Sequence, residues 1–403
     1  MRKIALCTAD LLPVPATKNG AVEILVENLI KQNEIEKEFE FLVFSVYDKR
    51  AKKKSKEYAR SKFVFYKNDG IRAKLYNIKR KLYAKIKKKD LPFLYSTYLK
   101  LKKTKKFNPD YVIVENGKLP KYRDFHSVIS REKMIFHLHW RVPYRVDTDE
   151  IFGKYIAISD FVKNSFIDGT EINKSKVKVL KNCVDESIFY PLDNCGIREK
   201  YGIKENDFLC IFVGRLVENK GVIQAIKAVK SLNGQAKLLI LGAGEDSFIN
   251  VIRDEIGNDE NVILVGQVNN DELNEFYSSS DLCLFLSIVE EGAGLVAVES
   301  MACKTPLIVT DSGGIGEYAD LSVAEMVERD KLFFDDKSQK VLGDDSKFVQ
   351  DVVEKILKFK NDRALLEKMK GDCLIKAREF TISNYYRNFV NIIDEFEEMD
   401  KGE

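Results

Sequence analysis

The sequence lacks the features that define several large classes of protein. Its seven cysteines are odd in number and contain no CxxC pair, which argues against a disulfide framework or a zinc site. No apolar run approaches the roughly 20 residues that cross a bilayer, and the first ten residues contain no secretory signal core. The motifs HExxH, GxxxxGK[ST] and GxSxG are missing as well. We therefore expect a globular protein that stays in the cytosol.

Length and charge are those of a globular protein with several domains. The chain has 403 residues, of which 45% are hydrophobic and 32% are charged, and about 150 residues per domain gives two or three domains. The net charge of +3 is the sum of a basic first half and an acidic second half. Residues 1–190 carry 41 basic and 23 acidic side chains (+18), whereas residues 191–403 carry 25 and 40 (−15). We expect the two halves to have different partners.

Short runs rich in valine, isoleucine and phenylalanine alternate with helical stretches along the whole chain. Such continuous apolar runs predict strands that are buried on both faces of a parallel sheet. The runs lie at 3–6, 41–46, 63–66, 111–114, 134–138, 155–158, 177–180, 208–214, 237–242, 261–266, 281–286 and 306–309. They predict an α/β protein with two facing Rossmann-like domains and a cleft between them. The predicted domains are 1–185 and 186–380, followed by a C-terminal helix, 381–403, that packs back toward the first domain.

Charged residues that could bind a ligand follow the predicted strands of the second half. Arg215 and Lys220, in GRLVENKG, could clamp a diphosphate, although a solvated turn with two surface cations also fits. Glu291 and Glu299 are separated by seven residues in EEGAGLVAVESMA. Their carboxylates could bind hydroxyls at two points of one ligand, or they could belong to an exposed acidic helix start. Glu299 lies among apolar neighbours, where burial of a carboxylate that binds nothing would cost free energy.

The order of these motifs resembles a known enzyme family. GRLVENKG, LGAGE, VGQV, EEGAGLVAVESMA and TDSGGIGEY, over about 205–320, resemble the C-terminal half of the family-4 retaining glycosyltransferases of the GT-B fold. The first half is similar more loosely, through Gly20, YVIVENG, FHLHW and YIAISDFVKNSF. Two positions depart from the family pattern: Lys304 replaces the usual glycine, and Asn19-Gly20 replaces paired glycines.

The resemblance implies a role for each matching residue. Arg215 and Lys220 would hold the diphosphate of a nucleotide-sugar donor, and Glu299 would bind its ribose. His139 and Glu291 would be the catalytic residues. His139 would lie near the anomeric carbon, with His137 as a supporting or buried residue, and Glu291 would bind the sugar hydroxyls. The other donor contacts would come from Gly20, Gln267, Val268, Ala293, Gly294, Leu295 and Val296. Arg215 and Lys220 would neutralise the charge that develops on the departing diphosphate, so no metal or other cofactor is expected.

The basic excess is concentrated in residues 49–106, which contain 23 basic and 3 acidic side chains. Within this segment an apolar stripe runs along a predicted basic helix; its members are Ile71, Leu75, Ile78, Leu82 and Ile86. Such a helix suits an anionic membrane surface, although the stripe could instead pack on the sheet. No nucleic-acid-binding module accompanies the charge. We expect residues 71–106 to make a peripheral contact with the inner face of the cell membrane.

The sequence therefore predicts a retaining, metal-independent hexosyltransferase. It would move a sugar from a nucleotide-sugar, by default a UDP-sugar, to a sugar hydroxyl of a glycan or lipid-linked acceptor. The expected process is the biosynthesis of capsule, lipopolysaccharide or a related surface polysaccharide. Two alternatives stay open: a sugar-nucleotide epimerase of similar fold, and a non-catalytic partner subunit of a glycosyltransferase.

Overall fold

The structure is a computed structural model that describes residues 1–18, 20–87, 92, 94–116, 119–141, 146–168, 170–193, 195–328, 333–335 and 340–402. Its contacts divide the chain into two compact units. The N-terminal unit comprises Met1–Lys181 and Tyr385–Glu403, and the C-terminal unit comprises Asn182–Asn384. The boundaries from sequence, 185/186 and 380/381, lie four residues from these divisions.

Strands and helices alternate along most of the chain. The strands are β1 Arg2–Cys7, β2 Phe39–Val46, β3 Ser61–Tyr66, β4 Tyr111–Glu115, β5 Met134–Leu138, β6 Lys154–Ala157, β7 Val177–Val179, β8 Leu209–Val213, β9 Lys237–Leu241, β10 Val262–Gly266, β11 Leu282–Phe285, β12 Leu307–Asp311, β13 Ala324–Glu328, β14 Phe333–Asp335 and β15 Lys340–Leu342. The helices are α1 Ala21–Glu36, α2 Lys49–Lys54, α3 Ile71–Lys87, α4 Tyr95–Phe107, α5 Val146–Ile151, α6 Asp160–Ile167, α7 Ile197–Lys200, α8 Val222–Ser231, α9 Asp246–Ile256, α10 Leu273–Ser278, α11 Leu295–Ala302, α12 Ser346–Asn361, α13 Arg363–Ala377 and α14 Ile382–Gly402.

The N-terminal unit is built on a parallel sheet whose described strands follow the order β3-β2-β1-β4-β5-β6-β7. Most residues of its inner strands are fully buried, as the continuous apolar runs require. The last helix, α14, belongs to this unit for most of its length. Tyr386 donates a hydrogen bond to Asn33 Oδ1 at 2.7 Å, and Tyr111 donates one to Asp400 Oδ2 at 2.7 Å.

The C-terminal unit is built on a second parallel sheet, with the order β10-β9-β8-β11-β12-β13 among the described residues. Alternate residues of β8 point to opposite faces. Leu209 and Ile211 join one buried cluster with α11 and α13, while Cys210 and Phe212 join another with α8 and α12. The sheet is therefore covered on both faces, and its functional residues can emerge only at the strand ends.

The structure confirms the two Rossmann-like units and a strand at each of the twelve predicted runs. It also confirms that the last stretch of the chain, from Ser346, is helical. Sequence inspection missed β13, which reads AEMVE and carries two acidic residues. Pairing of β13 with β12 at the edge of the sheet, through five registered residues, outweighs that weak local pattern.

Two glycines of the C-terminal unit provide a matched pair for a stability measurement. Gly221 has a φ of +76°, and a Cβ added there would lie 2.0 Å from the carbonyl oxygen of Leu286. Gly371 lies inside α13, with nothing within 4 Å of an added Cβ. We expect Gly221→Ala to lower the free energy of unfolding by at least about 2 kcal/mol. Gly371→Ala should raise it by about 0.5–1 kcal/mol. Urea unfolding measures both, and equal effects would contradict the described close approach at Gly221.

Candidate functional site

The strand order of the C-terminal unit creates a crevice at one position. β8 and β11 are neighbours in the sheet, but the chain leaves their carboxyl ends toward opposite sides, since β9 follows on one side and β12 on the other. Ligands of doubly wound sheets bind outside such a switch point. The loops after β8 and β11 are the segments that contain Arg215, Lys220 and Glu291.

Lys220 and Glu291 meet at this switch point. Lys220 ends a short 3₁₀ turn, Glu218–Lys220, after β8, and its ammonium group forms an ion pair with Glu291 Oε1. Ser287, just after β11, donates a hydrogen bond to the same oxygen. The side chains of Lys220 and Glu291 are 17% and 16% exposed. The pair is thus accessible to a ligand and partly shielded from bulk water, so its charges are screened less than those of a surface pair.

Backbone hydrogen bonds hold the two loops in place. Ile288 N donates to Asn219 O at 2.9 Å, which ties the loop after β11 to the 3₁₀ turn. Gly314 N donates to Glu291 O at 2.7 Å, which ties the same loop to the segment after β12. Lys220 and Glu291 therefore sit on loops that backbone hydrogen bonds hold in place, which reduces the cost of ordering them on binding.

Arg215 differs from Lys220 in its environment. It follows Gly214 directly after β8, and its side chain is exposed. Within the part of the chain that the structure describes, its guanidinium forms no salt bridge. Arg215 can therefore bind a ligand anion without first giving up an internal partner, whereas Lys220 must share its charge with Glu291.

Glu299 is buried in α11, with 7% of its surface exposed. Tyr277 of α10 donates a hydrogen bond to Glu299 Oε2 at 3.1 Å. Burial raises the pKa of Glu299 to about 7, and the Tyr277 hydrogen bond opposes this increase. No basic side chain contributes to the shift of this pKa. The carboxyl group is therefore poised between its neutral and ionised forms near neutral pH, and added hydrogen-bond donors would favour the ionised form.

The other six predicted donor contacts of the C-terminal unit lie at two positions in the structure. Ala293 and Gly294 immediately precede α11, and Leu295 and Val296 form its first residues. Their backbone N–H groups belong to a helix start, where several have no partner within the helix. The other two, Gln267 and Val268, follow β10 at the edge of the sheet. Gln267 is exposed, and Val268 packs against the buried cluster.

The N-terminal unit has its own switch point, between β1 and β4. Gly20 ends the long loop after β1 and immediately precedes α1. A Cβ added at Gly20 would lie 2.3 Å from Glu23 Oε2, so the Glu23 carboxyl group occupies the space beside this glycine. Burial raises the pKa of Glu23, a backbone hydrogen bond lowers it, and the charge of Glu115 at the end of β4 raises it further. Acidic groups from the start of α1 and the end of β4 thus influence each other here.

Glu115 contacts both histidines of FHLHW. His137 lies in β5, and its Nδ1 is 2.8 Å from Glu115 Oε2. His139 follows β5, and its Nε2 is 2.6 Å from the same oxygen. The side chains of Glu115, His137 and His139 are 4%, 3% and 5% exposed. The two predicted histidine positions therefore form one buried cluster with a carboxylate.

The cluster has well-defined charges. Burial alone would raise the pKa of Glu115, but its contacts with His137 and His139 outweigh burial and hold this pKa below its ordinary value. Burial and the neighbouring His137 lower the pKa of His139 to about 4, against the opposing effect of Glu115. At neutral pH Glu115 is ionised and His139 is neutral. Among the described residues, these three side chains are the group whose ligand atoms lie close enough together to hold a metal ion.

Sequence inspection missed three partners of the predicted residues: Glu115, Tyr277 and Ser287. Glu115 ends the run YVIVE, and an acidic residue that closes a buried strand is a signal that could have identified it. Tyr277 and Ser287 carry no such signal, because only the fold brings α10 to Glu299 and the end of β11 to Glu291.

Residues 196–371 match the family model "Glycosyl transferases group 1". These residues are a group 1 glycosyltransferase domain. The glycosyltransferase domain contains Arg215, Lys220, Glu291 and Glu299. A curated relative that matches beyond this domain is the lipopolysaccharide 1,2-N-acetylglucosaminetransferase of Salmonella typhimurium, which is 26% identical over 314 residues, or 73% of each chain. Several other curated relatives match over about half of their own length.

Solved glycosyltransferases share the fold over nearly the full length of the chain. A glycosyltransferase from Rickettsia africae has a TM-score of 0.75 at 18% identity and covers 98% of both chains. Anabaena Alr3699/HepE, solved with UDP and glucose, has a TM-score of 0.74 at 15% identity and covers 98% of this chain and 100% of its own. At these identities the likeness establishes the GT-B fold of the chain.

Proposed function

We propose that the protein is a retaining glycosyltransferase of surface polysaccharide biosynthesis. It would transfer a hexose-type sugar from a nucleotide-sugar to a sugar hydroxyl of a glycan or lipid-linked acceptor. The observation that carries this proposal is the Lys220–Glu291 pair at the switch point of a group 1 glycosyltransferase domain. The name of the Salmonella relative supports a lipopolysaccharide-type acceptor, and the UDP and glucose in the HepE structure support a UDP-sugar donor.

The proposed donor site divides the nucleotide-sugar among four side chains. Arg215 and Lys220 bind the diphosphate, because they supply positive charge beside the helix and turn that follow β8. Glu299 binds the two ribose hydroxyls, since its buried carboxyl has one hydrogen bond from Tyr277 and accepting capacity to spare. Glu291 binds hydroxyls of the transferred sugar while it remains next to Lys220.

The reaction requires charge stabilisation more than covalent participation by the protein. The bond between the anomeric carbon and the diphosphate oxygen breaks, and a bond to the acceptor oxygen forms on the same face of the sugar. The acceptor hydroxyl gives its proton to the departing phosphate. Arg215 and Lys220 neutralise the negative charge that grows on the diphosphate. Because two cations are available for this task, we propose that transfer is independent of a metal ion.

The test is an incubation of the protein with UDP-, GDP- and ADP-sugars, followed by proton NMR of the products. A glycosyltransferase releases the nucleoside diphosphate and transfers the sugar to an added lipid-linked glycan with the anomeric configuration retained. An epimerase would instead yield an altered nucleotide-sugar without any acceptor. No turnover of any donor, with or without acceptor, would favour the non-catalytic partner subunit and contradict the proposal.

We also propose that α3 docks on an anionic membrane surface. For Ile71, Leu75 and Ile78, the structure contradicts the alternative that the apolar stripe packs on the sheet. The side chains of the other two members, Leu82 and Ile86, lie outside the described residues. Ile71, Leu75 and Ile78 are 78%, 62% and 58% exposed, whereas Ala73 and Tyr76 are 1% and 5% exposed. At about 100° per residue, the exposed apolar residues share one helix face and the buried residues lie on the opposite face. The stripe therefore points away from the protein.

Basic residues flank the exposed stripe on both sides. Arg72 and Lys79 lie on one flank and Lys74 and Lys81 on the other, and all four are exposed. This arrangement lets the apolar side chains enter the lipid boundary while the cations contact acidic head groups. The predicted contact continues through residues 88–91 and 93, which lie outside the described residues. Within the described part of the chain, no helix is long and apolar enough to cross a bilayer.

Serine at the three exposed stripe positions is expected to weaken vesicle binding. The variant I71S/L75S/I78S should bind phosphatidylglycerol vesicles at least about tenfold more weakly, because three large apolar side chains no longer enter the lipid. The control variant V251S/L321S/I375S removes three other exposed apolar residues, which are 48%, 73% and 64% exposed. It should bind normally in the same flotation assay. Equal binding by both variants would exclude docking through α3.

A further inference from the structure

The Glu115 carboxylate accepts hydrogen bonds from two different ring nitrogens. Its Oε2 lies 2.8 Å from His137 Nδ1 and 2.6 Å from His139 Nε2. The two rings lie side by side, with centroids 4.0 Å apart. An ionised carboxylate only accepts hydrogen bonds, so each nitrogen that contacts it must carry the hydrogen. The same oxygen therefore requires a hydrogen on His137 Nδ1 and a hydrogen on His139 Nε2.

The His139 nitrogen that faces away from Glu115 is then a proton acceptor. A neutral imidazole has one N–H and one lone pair, and the hydrogen bond at one nitrogen decides the state of the other. His137 Nε2 is buried and has no hydrogen-bond partner among the described residues. A buried polar atom without a partner is costly unless a ligand or water supplies one. The cluster thus has capacity for a hydrogen bond to a ligand that the described residues leave unfilled.

We propose that Glu115 is a positioning residue that fixes His139 as the Nε2–H tautomer, so that His139 presents the lone pair of its Nδ1 to a sugar hydroxyl. The contact of His139 with the reacting sugar rests on the proposed glycosyltransferase function, whereas the tautomer does not. Glu23, which approaches from α1, is the further acidic group that interacts with Glu115. The Glu115 carboxylate repels a phosphate, so the cluster favours a neutral hydroxyl.

The tautomers are directly measurable because the chain has only three histidines. Two-bond nitrogen–proton NMR spectra of histidine-labelled full-length protein at pH 7 distinguish Nδ1–H from Nε2–H. We expect His139 as the Nε2–H form. In Glu115→Leu the His139 ring should become a tautomer mixture, while Glu115→Gln, which keeps an acceptor oxygen, should restore the tautomer in part. His126, whose Nε2 contacts the backbone oxygen of Ile151 at 3.0 Å, is the internal control and should not change.

Kinetics distinguish a positioning role from a purely structural one. Glu115→Leu should lower kcat on the order of 100-fold, since a mispositioned imidazole no longer orients the sugar hydroxyl for reaction. The affinity for UDP should change less than about twofold, and Glu115→Gln should recover part of kcat. An unchanged His139 tautomer in Glu115→Leu would overturn the proposal even if no transfer activity is found. Loss of both N–H signals on addition of Zn²⁺, reversed by EDTA, would instead identify a metal site and overturn it as well.

Discussion

Lys220→Ala is expected to lower the rate of sugar transfer by about 100- to 1,000-fold, the usual cost of removing one group that stabilises transition-state charge. Lys220 lies at the switch point between β8 and β11, where its ammonium group is held by Glu291. The diphosphate gains negative charge as the sugar departs, so the missing cation costs more in the transition state than in the ground state. The loss should therefore appear mainly in kcat.

Lys227→Ala is the matched control for this prediction. Lys227 lies on α8, seven residues further along the chain, and its ammonium group contacts the Asp345 carboxylate at 2.8 Å. Removal of this ion pair should affect stability but leave kcat within about twofold, because Lys227 is placed outside the proposed donor site. Equal losses in the two variants would show that ion-pair stability, and not charge at the diphosphate, sets the rate.

The Lys220–Glu291 contact also makes a prediction about coupling. Because the two side chains share one ion pair, the effects of Lys220→Ala and Glu291→Gln should not multiply in the double variant. We expect the double variant to be less impaired than the product of the single losses. Strict multiplication of the two losses would mean that the residues act independently, contrary to the contact in the structure.

The affinity for a nucleotide-sugar is expected to rise about tenfold between pH 6 and pH 8. Burial raises the pKa of Glu299 to about 7, and ribose hydroxyls donate hydrogen bonds that only the ionised carboxylate can accept in full. At pH 6 about one tenth of this group is ionised, and at pH 8 about nine tenths. A nucleotide-sugar is the proper ligand, because its diphosphate has no terminal phosphate that titrates near pH 6.

Glu299→Gln should remove this dependence on pH, since an amide does not titrate in the range. Glu325→Gln is the control: burial raises the pKa of Glu325, but its contacts with Lys358 and Lys355 outweigh burial and lower it overall. Glu325 is therefore ionised throughout, and its replacement should leave the pH dependence intact. The measurement is a titration of each protein with the nucleotide-sugar at pH 6, 7 and 8. If the affinity of Glu299→Gln still rises with pH, a group other than Glu299 is responsible for the pH dependence.

The same pKa predicts how stability depends on pH. The folded-state pKa of Glu299 lies above its ordinary value of 4.5, so the folded state binds more protons than the unfolded state between pH 4.5 and about 7. The free energy of unfolding should therefore fall as pH rises through this window. Glu299→Gln lacks this loss of stability. The free energy of unfolding of the variant minus that of the natural protein should therefore be larger at pH 8 than at pH 5, by on the order of 2 kcal/mol.

The sequence predicted what depends on patterns along the chain. Buried strands of a parallel sheet read as continuous apolar runs, so the strands of both units could be located, and glycines after those strands marked the loops that carry Arg215 and Glu291. The direction of the α3 stripe could not be predicted. A stripe of Ile71, Leu75 and Ile78 is compatible with a sheet or a membrane, and only the burial of Tyr76 on the opposite face shows which way it points.

Contacts between distant segments were also beyond the reach of sequence patterns. Glu115 and His139 are brought together because β4 and β5 pair in parallel, with Glu115 opposite His137. Lys220 and Glu291 meet because β8 and β11 are neighbours although two strands, β9 and β10, intervene in the chain. The roles of these residues in donor binding remain predictions that rest on the resemblance and on this geometry.

The most direct test of the central claim is a calorimetric titration of the full-length protein with UDP, GDP and ADP in EDTA, repeated with Glu299→Ala. The claim is that the switch point of the C-terminal unit is a nucleotide-sugar site that needs no metal. We expect one nucleotide, UDP, to bind in EDTA and its affinity to fall at least about tenfold in Glu299→Ala. If none of the three nucleotides binds, or if Glu299→Ala binds UDP as tightly as the natural protein does, the proposed donor site is wrong.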